Sequence, residues 1–166
     1  MGASTFNGPI TATNGFIGDI TGTLVGATPV NSTAATLTVT SALHGGRVVT
    51  LNRAAGIAVT LPAASGTGTA YRFAVNTTVT SNTTTIKVAN ASDVMTGTAY
   101  VVSDSAAAVL GYRTGATSDT ITFDGSTTGG LLGDYVEIID VATNLFSVRV
   151  LSAATGTEAT PFSATV

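Results

Sequence analysis

Short alternating segments dominate the chain from Thr36 to its C-terminus. Apolar and polar residues alternate with a period of two in these segments, and residues that favour turns separate them. In TLTVT, for example, the alternation places Leu37 and Val39 on the same face of a strand. Threonine makes up about a fifth of the chain, and with valine and isoleucine it favours strands over helices. The sequence therefore predicts an all-β fold, as a single antiparallel β-sandwich or β-barrel domain over residues 35–166.

The alternation and the turn residues together predict where the strands lie. NRAAG, which ends in Gly56, separates two of them and is typical of a hairpin loop. Asn82 and Asn144 are among the turn markers. AAAVLGY, residues 106–112, fits either a short helix or an apolar strand. No repeat of fixed period is evident. The predicted strands are residues 36–40, 47–51, 57–61, 70–76, 84–89 and 98–103, a segment around Thr122, and residues 134–141 and 145–151.

Residues 1–34 differ from the rest of the chain, because glycines separate isolated apolar residues and no regular period forms. We expect an extended N-terminal arm, which could reach on the order of 100 Å at 3.3 to 3.6 Å per residue. The alternative is a flexible tail. Against that alternative, disordered tails are poor in large apolar residues. The predicted binding residues of the arm are Phe6, Ile10, Phe16, Ile17, Ile20 and Leu24.

Charge is scarce, with 9% charged residues, six basic against nine acidic, and a net charge of −3. The basic residues are scattered singly along the sequence, which argues against nucleic acid as a partner. No apolar run approaches the roughly 18 residues of a membrane-spanning helix, and the N-terminus does not resemble a signal peptide. The chain has no cysteine, so it can fold in a reducing cytoplasm. A surface with so few ions costs little free energy to desolvate when a partner covers it.

The residues that could carry chemistry do not form a recognisable site. His44, the only histidine, precedes two glycines and is expected in a polar turn or at an interface, without a serine nucleophile motif to accompany it. GTGTAY, residues 66–71, resembles a phosphate loop but leads into a strand, so we predict a turn. On a strand, Asp134 and Asp140 are about 20 Å apart and Glu137 faces the other way. The sequence predicts no catalytic residue, no cofactor and no metal.

The alternative to this prediction is a calcium ion in a surface loop. The segment 119–134 offers Asp119, Asp124 and Asp134 as oxygen ligands. The order of acidic residues that is typical of an EF-hand is missing.

Two longer stretches resemble a known class of proteins. LNRAAGIAVTLPAASGTGTAYRFAVN and GDYVEIIDVATNLFSVRVL resemble β-rich capsid decoration (cement) proteins of tailed bacteriophages, of the marine and cyanobacterial phage type. GPITATNGFIGDITG is similar to the arms that precede such domains. The resemblance implies a structural virion protein, commonly a homotrimer, on the outer capsid surface, where it bridges major capsid protein subunits. It implies no catalytic motif, and phage tail fibres use similar threonine- and glycine-rich strands.

The function expected from the sequence is therefore structural and not enzymatic. We expect the protein to be made in the bacterial host cytoplasm, to bind the major capsid protein and itself, and to stabilise the capsid. The alternative is a tail-fibre or receptor-binding β-domain that recognises a glycan on the host surface. Six Phe, four Tyr and no Trp offer few aromatic residues for stacking on sugar rings.

Overall fold

The computed structural model describes residues 28–105 and 107–166. This part of the chain is mostly β-strand, with one helix of four residues. The strands are β1 Val30–Ser32, β2 Thr36–Thr38, β3 Val48–Leu51, β4 Ala58–Thr60, β5 Ala70–Val75, β6 Thr84–Lys87, β7 Val94–Ser103, β8 Val109–Arg113, β9 Thr120–Phe123, β10 Tyr135–Ala142, β11 Leu145–Ala154 and β12 Phe162–Ser163, and the helix is α1 Ser41–His44. The predicted all-β class is confirmed.

The strands form two mixed sheets. Sheet A has seven strands in the order β1-β3-β5-β10-β11-β7-β8, and sheet B has five in the order β12-β9-β6-β4-β2. Neighbouring strands are parallel in β1-β3-β5, in β2-β4-β6 and in β11-β7. The remaining pairs are antiparallel. The predicted purely antiparallel arrangement is therefore wrong.

The first six strands alternate between the two sheets, which explains the parallel pairing. Each of β1, β3 and β5 lies in sheet A, and the strand that follows each one lies in sheet B. The hairpin predicted between residues 47–51 and 57–61 is therefore wrong, because β3 and β4 belong to different sheets. Gly56 does adopt a left-handed turn conformation there, with φ of 74°. A turn residue shows that the chain bends, but it does not tell which sheet the next strand joins.

The two sheets contribute to one contiguous hydrophobic core. Sheet A supplies Tyr71, Phe73 and Phe146, and sheet B supplies Ile86 and Phe123, all at most 2% exposed. Strand β5 shows the reason, since its residues alternate regularly between half-buried and buried positions. Each fully buried large apolar side chain stabilises the fold by roughly 1.5 to 3 kcal/mol. The period-two pattern in the sequence therefore identifies the core face of these strands correctly.

The strand positions agree closely with the prediction, and the differences lie at the edges. All the predicted strands exist, although β7 begins at Val94, four residues before the predicted start at Thr98. The segment 106–112, left open between helix and strand, contains most of β8. Asn82 and Asn144 have positive φ values, 57° and 61°, as expected of turn residues. The short elements β1, β12 and α1 were not predicted.

The predicted arm overlaps the sheet at its C-terminal end. Val30, Asn31 and Ser32 form β1, which pairs in parallel with β3, so these residues belong to sheet A. Arg47 holds the chain just before β1, since its Nε and Nη2 atoms donate hydrogen bonds to the carbonyl oxygen of Thr28 at 3.0 and 2.7 Å. Residues 1–27 lie outside the described residues.

Candidate interaction face

One face of sheet A points away from the core, and its side chains are unusually apolar at one end. On β11, the buried residues Phe146, Val148 and Val150 alternate with half-buried and exposed residues. The same alternation runs along β10 and most of β7. Because neighbouring strands are in register, the outward-facing residues form rows that cross the sheet. We call this surface the outer face of sheet A.

Five exposed large apolar side chains cluster at this end of the molecule. We define the apolar patch as Tyr100, Val102, Val109, Leu132 and Leu151, each between 49% and 67% exposed. Tyr100 pairs with Leu151, and Val102 pairs with Val109, across neighbouring strands. All five line a shallow open groove of about 520 Å³. Isolated exposed apolar residues are ordinary, but a contiguous patch is typical of an interaction surface.

A row of charged residues borders the patch. We define the charged row as Arg72, Glu137, Arg149 and Arg113, which lie in one cross-strand row with Thr98 between the last two. Arg149 and Leu151 are two residues apart on β11, so the row and the patch share a face. Arg72 Nε lies 3.0 Å from Glu137 Oε1, the one salt bridge among the described residues.

The charged row changes the interpretation of the basic residues. The sequence shows them scattered singly, whereas sheet pairing brings three of the six into one row. With Glu137 as its only acid, this row carries a local charge of +2 on a chain whose net charge is −3. The outer face of sheet A therefore combines apolar surface with positive charge.

The buried aspartates anchor loops. Asp140 accepts hydrogen bonds from the backbone amides of Ser65, Gly66 and Thr67 at 2.9, 2.7 and 3.1 Å. The hydroxyl of Thr67 also donates to this carboxylate at 2.8 Å. Burial alone would raise the pKa of Asp140, but these hydrogen bonds outweigh it and lower the pKa below the ordinary value. Asp140 thus holds the loop before β5 against β10.

The three aspartates considered for calcium are engaged separately. Asp119 accepts hydrogen bonds from the amides of Thr165 and Val166, and Asp124 accepts from those of Ser126 and Thr128. In both aspartates, burial opposes the shift but hydrogen bonds lower the pKa. Within residues 28–105 and 107–166, no group of three acidic, histidine or cysteine side chains could hold a metal ion.

In Asp134, burial affects the pKa more strongly than the hydrogen bonds do. Its carboxylate accepts hydrogen bonds from the amides of Gly130, Leu131 and Ala153 at 2.7, 3.1 and 2.9 Å. Burial nevertheless dominates and raises the pKa of Asp134. Asp134 and Asp140 are both buried and Glu137 is half-buried, so Glu137 faces the other way, as predicted.

His44 lies in a helix, and the glycine-rich segment lies in a loop. His44 is the last residue of α1 and is buried, and the backbone amide of Thr40 donates to its Nδ1 at 3.0 Å. It is therefore a helix residue bonded to the helix N-cap, and not a turn residue at a strand end. Residues 66–69 form the loop that leads into β5 at Ala70, so the predicted turn is confirmed.

The predicted binding residues of the arm and the residues of the outer face of sheet A belong to different parts of the chain. Phe6, Ile10, Phe16, Ile17, Ile20 and Leu24 lie outside the described residues, so their role stays a prediction. The apolar patch was not predicted, although a signal was present in the sequence. Ala99, Tyr100, Val101 and Val102 are consecutive apolar residues, and a strand that is apolar at successive positions exposes some of them unless both faces are covered.

Two further findings concern membrane-spanning helices and related proteins. In the described residues, no helix is long and apolar enough to cross a membrane. Comparison of the chain with protein-family models, with curated proteins and with solved structures gives no match.

Proposed function

We propose that this chain is a structural virion protein that binds the outer surface of a tailed-phage capsid and stabilises contacts between major capsid protein subunits. The apolar patch on the outer face of sheet A carries this proposal. An exposed surface formed by Tyr100, Val102, Val109, Leu132 and Leu151 is favourable only when a partner covers it. The sequence resemblance to capsid decoration proteins supplies the kinds of partner, the major capsid protein and neighbouring copies of the chain.

The hydrogen bonds of the ionisable groups support a role that is not enzymatic. Asp119, Asp124, Asp134 and Asp140 accept hydrogen bonds from backbone amides and hold loops in place. His44 is bonded to the backbone of its own helix. These hydrogen bonds give the carboxylates and the imidazole structural roles, whereas a general acid or base must exchange a proton with a substrate.

We further propose a β-sandwich preceded by an extended arm. The contiguous core shared by sheet A and sheet B supports the sandwich. In this proposal the arm lies across the capsid shell, with Ile10, Phe16, Ile17, Ile20 and Leu24 in shallow apolar pockets. Each anchor contributes roughly 1.5 to 3 kcal/mol before the cost of ordering. A homotrimer would multiply these contacts and slow dissociation.

Capsid stabilisation then follows from mass action. A protein that binds the assembled shell and not its separated subunits shifts the equilibrium towards the shell. The shell cannot come apart until the bound protein leaves, so the capsid resists the internal pressure of the genome without any catalysis.

Rebinding to phage heads tests the proposal. Heads of the phage that encodes this chain, prepared without the protein, are mixed with the full chain and sedimented. We expect the protein to sediment with the heads and to raise the temperature at which they release DNA. The Ile10→Ser and Leu24→Ser double variant should bind at least tenfold more weakly, and the matched Thr11→Ser and Thr13→Ser variant should bind normally. Heads that neither bind the chain nor gain thermal stability would refute the proposal.

A receptor-binding domain is the second candidate, and Tyr100 favours it. This ring is half exposed on the outer face, close to the polar groups of the charged row, and aromatic rings beside polar groups suit sugar stacking. Binding of the chain to glycans from the host surface, lost in Tyr100→Ala, together with no binding to heads, would support this function instead.

A further inference from the structure

One segment of the chain has the composition that the outer face of sheet A requires. Phe16, Ile17 and Ile20 are large apolar residues, and Asp19 stands among them. Asp19 is the only charged side chain in residues 1–27. The segment 16–20 therefore combines apolar side chains with one negative charge.

The outer face offers the complementary chemistry. Tyr100, Val102 and Leu151 provide apolar surface, and Arg149 and Arg113 lie one row away on the same sheet. Arg72 already pairs with Glu137, which leaves Arg149 and Arg113 as the cations in the row that form no salt bridge within the described residues. Apolar anchors give affinity, and a matched charge fixes the register of the bound segment.

We propose that the outer face of sheet A binds residues 16–20 of a second copy of this chain, with Phe16, Ile17 and Ile20 on the apolar patch and Asp19 beside Arg149 and Arg113. Adjacent copies are thereby linked by their N-terminal segments. The inference rests on the proposed function in one respect, that the protein works as many neighbouring copies. It assigns Phe16, Ile17 and Ile20 to the patch of a neighbouring copy in place of a capsid pocket, and Ile10 and Leu24 remain as anchors on the capsid.

The geometry of the sheet favours a second copy over the same chain. Tyr100 lies in the same cross-strand row as Asn31, five strand steps away, or roughly 24 Å at about 4.8 Å per step. Thr28 lies three residues before Asn31, roughly 10 Å along the strand and at right angles to the row. The distance from Thr28 to Tyr100 is therefore roughly 26 Å. The eight steps from Thr28 back to Ile20 span at most about 26 to 29 Å. Docking on the same chain would therefore require an almost fully stretched connection through Gly22 and Gly26, whose ordering loses the most entropy.

Disulfide trapping tests this contact directly, since the natural chain has no cysteine. The full chain with Ile20→Cys and Val102→Cys is oxidised mildly in solution and separated on a non-reducing gel. We expect disulfide-linked dimers and larger species. The control pairs Ile20→Cys with Val141→Cys, because Val141 is 45% exposed but lies six residues, or about 20 Å, along β10 from the row of Tyr135 and Leu151. It should cross-link at least tenfold less.

A charge exchange separates specific docking from unspecific contact. Asp19→Arg added to the trapping pair should reduce cross-linking at least fivefold, and a further Arg149→Asp should restore it. Equal cross-linking in the trapping pair and the control would overturn the proposal. A product that is linked only within one chain would also overturn it, because the segment would then occupy its own sheet.

The trapping assay contains no phage heads, so its outcome is independent of the capsid proposal. Failure to cross-link, with normal binding to heads, would refute the contact between copies and leave the proposed function standing. Cross-linking without binding to heads would refute the proposed function and leave the contact between copies standing.

Discussion

At the residue scale, single aspartates connect parts of the chain that are far apart in sequence. Asp140 on β10 binds amides of residues 65–67, more than 70 positions earlier. The sequence places Asp140 on a strand, on the face opposite Glu137, but its partners depend on which strands are neighbours. Turn residues such as Asn82 and Asn144 could be predicted, because their left-handed conformation is a local property. The role of the buried acids could not be predicted from the sequence.

Removing the Asp140 carboxylate should destabilise the fold strongly. Asp140→Ala leaves three backbone amides without their acceptor, and buried hydrogen bonds to charged groups contribute roughly 1.5 to 3 kcal/mol each without being additive. We expect the free energy of unfolding to fall by about 3 kcal/mol, measured by urea denaturation. Asp104→Ala is the matched control, since Asp104 is exposed, and it should change stability by less than about 0.5 kcal/mol. Equal effects of the two substitutions would contradict the anchoring role.

The same carboxylate should make stability depend on pH. The pKa of Asp140 is lower in the folded protein than its ordinary value, so its contribution to stability is present above about pH 4 and is lost as the pH falls through the folded pKa. The difference in unfolding free energy between the wild type and Asp140→Asn should therefore shrink from pH 7 to pH 3. The raised pKa of Asp134 has the opposite effect on the pH dependence of stability. Because Asp134 is present in both proteins, its contribution cancels in the difference. A difference that stays constant over this range would refute the assignment.

At the scale of the elements, the sequence specifies strands well and their pairing poorly. Alternation within a strand reflects local burial, and it located β5, β10 and β11 to within a few residues. Parallel pairing of β1, β3 and β5 depends on the chain crossing between sheets, for which the loops carry no clear signal. The long parallel pair of β7 and β11, with ten residues in register, joins segments about 50 residues apart.

Gly97 tests the pairing of β7 and β11. A Cβ atom at Gly97 would lie 1.9 Å from the carbonyl oxygen of Val148, so Gly97→Ala forces the two strands apart. We expect a loss of about 3 kcal/mol or more in thermal or urea unfolding. Gly111→Ala on the neighbouring strand β8 is the control, since a Cβ there meets no atom within 4 Å, and it should be close to neutral. If Gly97→Ala were as mild as Gly111→Ala, the β7–β11 pairing would be wrong.

At the scale of the whole molecule, the distribution of surface character determines the functional interpretation. The low charge content predicted a surface suited to being covered, but not where that surface lies. The location depends on sheet pairing, which brings Tyr100 and Val102 from β7 together with Leu151 from β11 and places Arg149 beside them. The patch is therefore a product of tertiary structure, and its residues come from strands that the sequence identifies only one by one.

Sedimentation velocity of the full chain over a range of concentrations can show whether the outer face of sheet A is a binding surface. Leu151→Lys places a charge in the middle of the apolar patch, and Val141→Lys places one at an exposed apolar position on the same sheet outside it. We expect the wild type and Val141→Lys to associate as concentration rises, and Leu151→Lys to associate roughly tenfold or more weakly while remaining folded. Identical sedimentation of all three proteins as monomers, or an unchanged association in Leu151→Lys, would mean that the outer face of sheet A is not a binding surface.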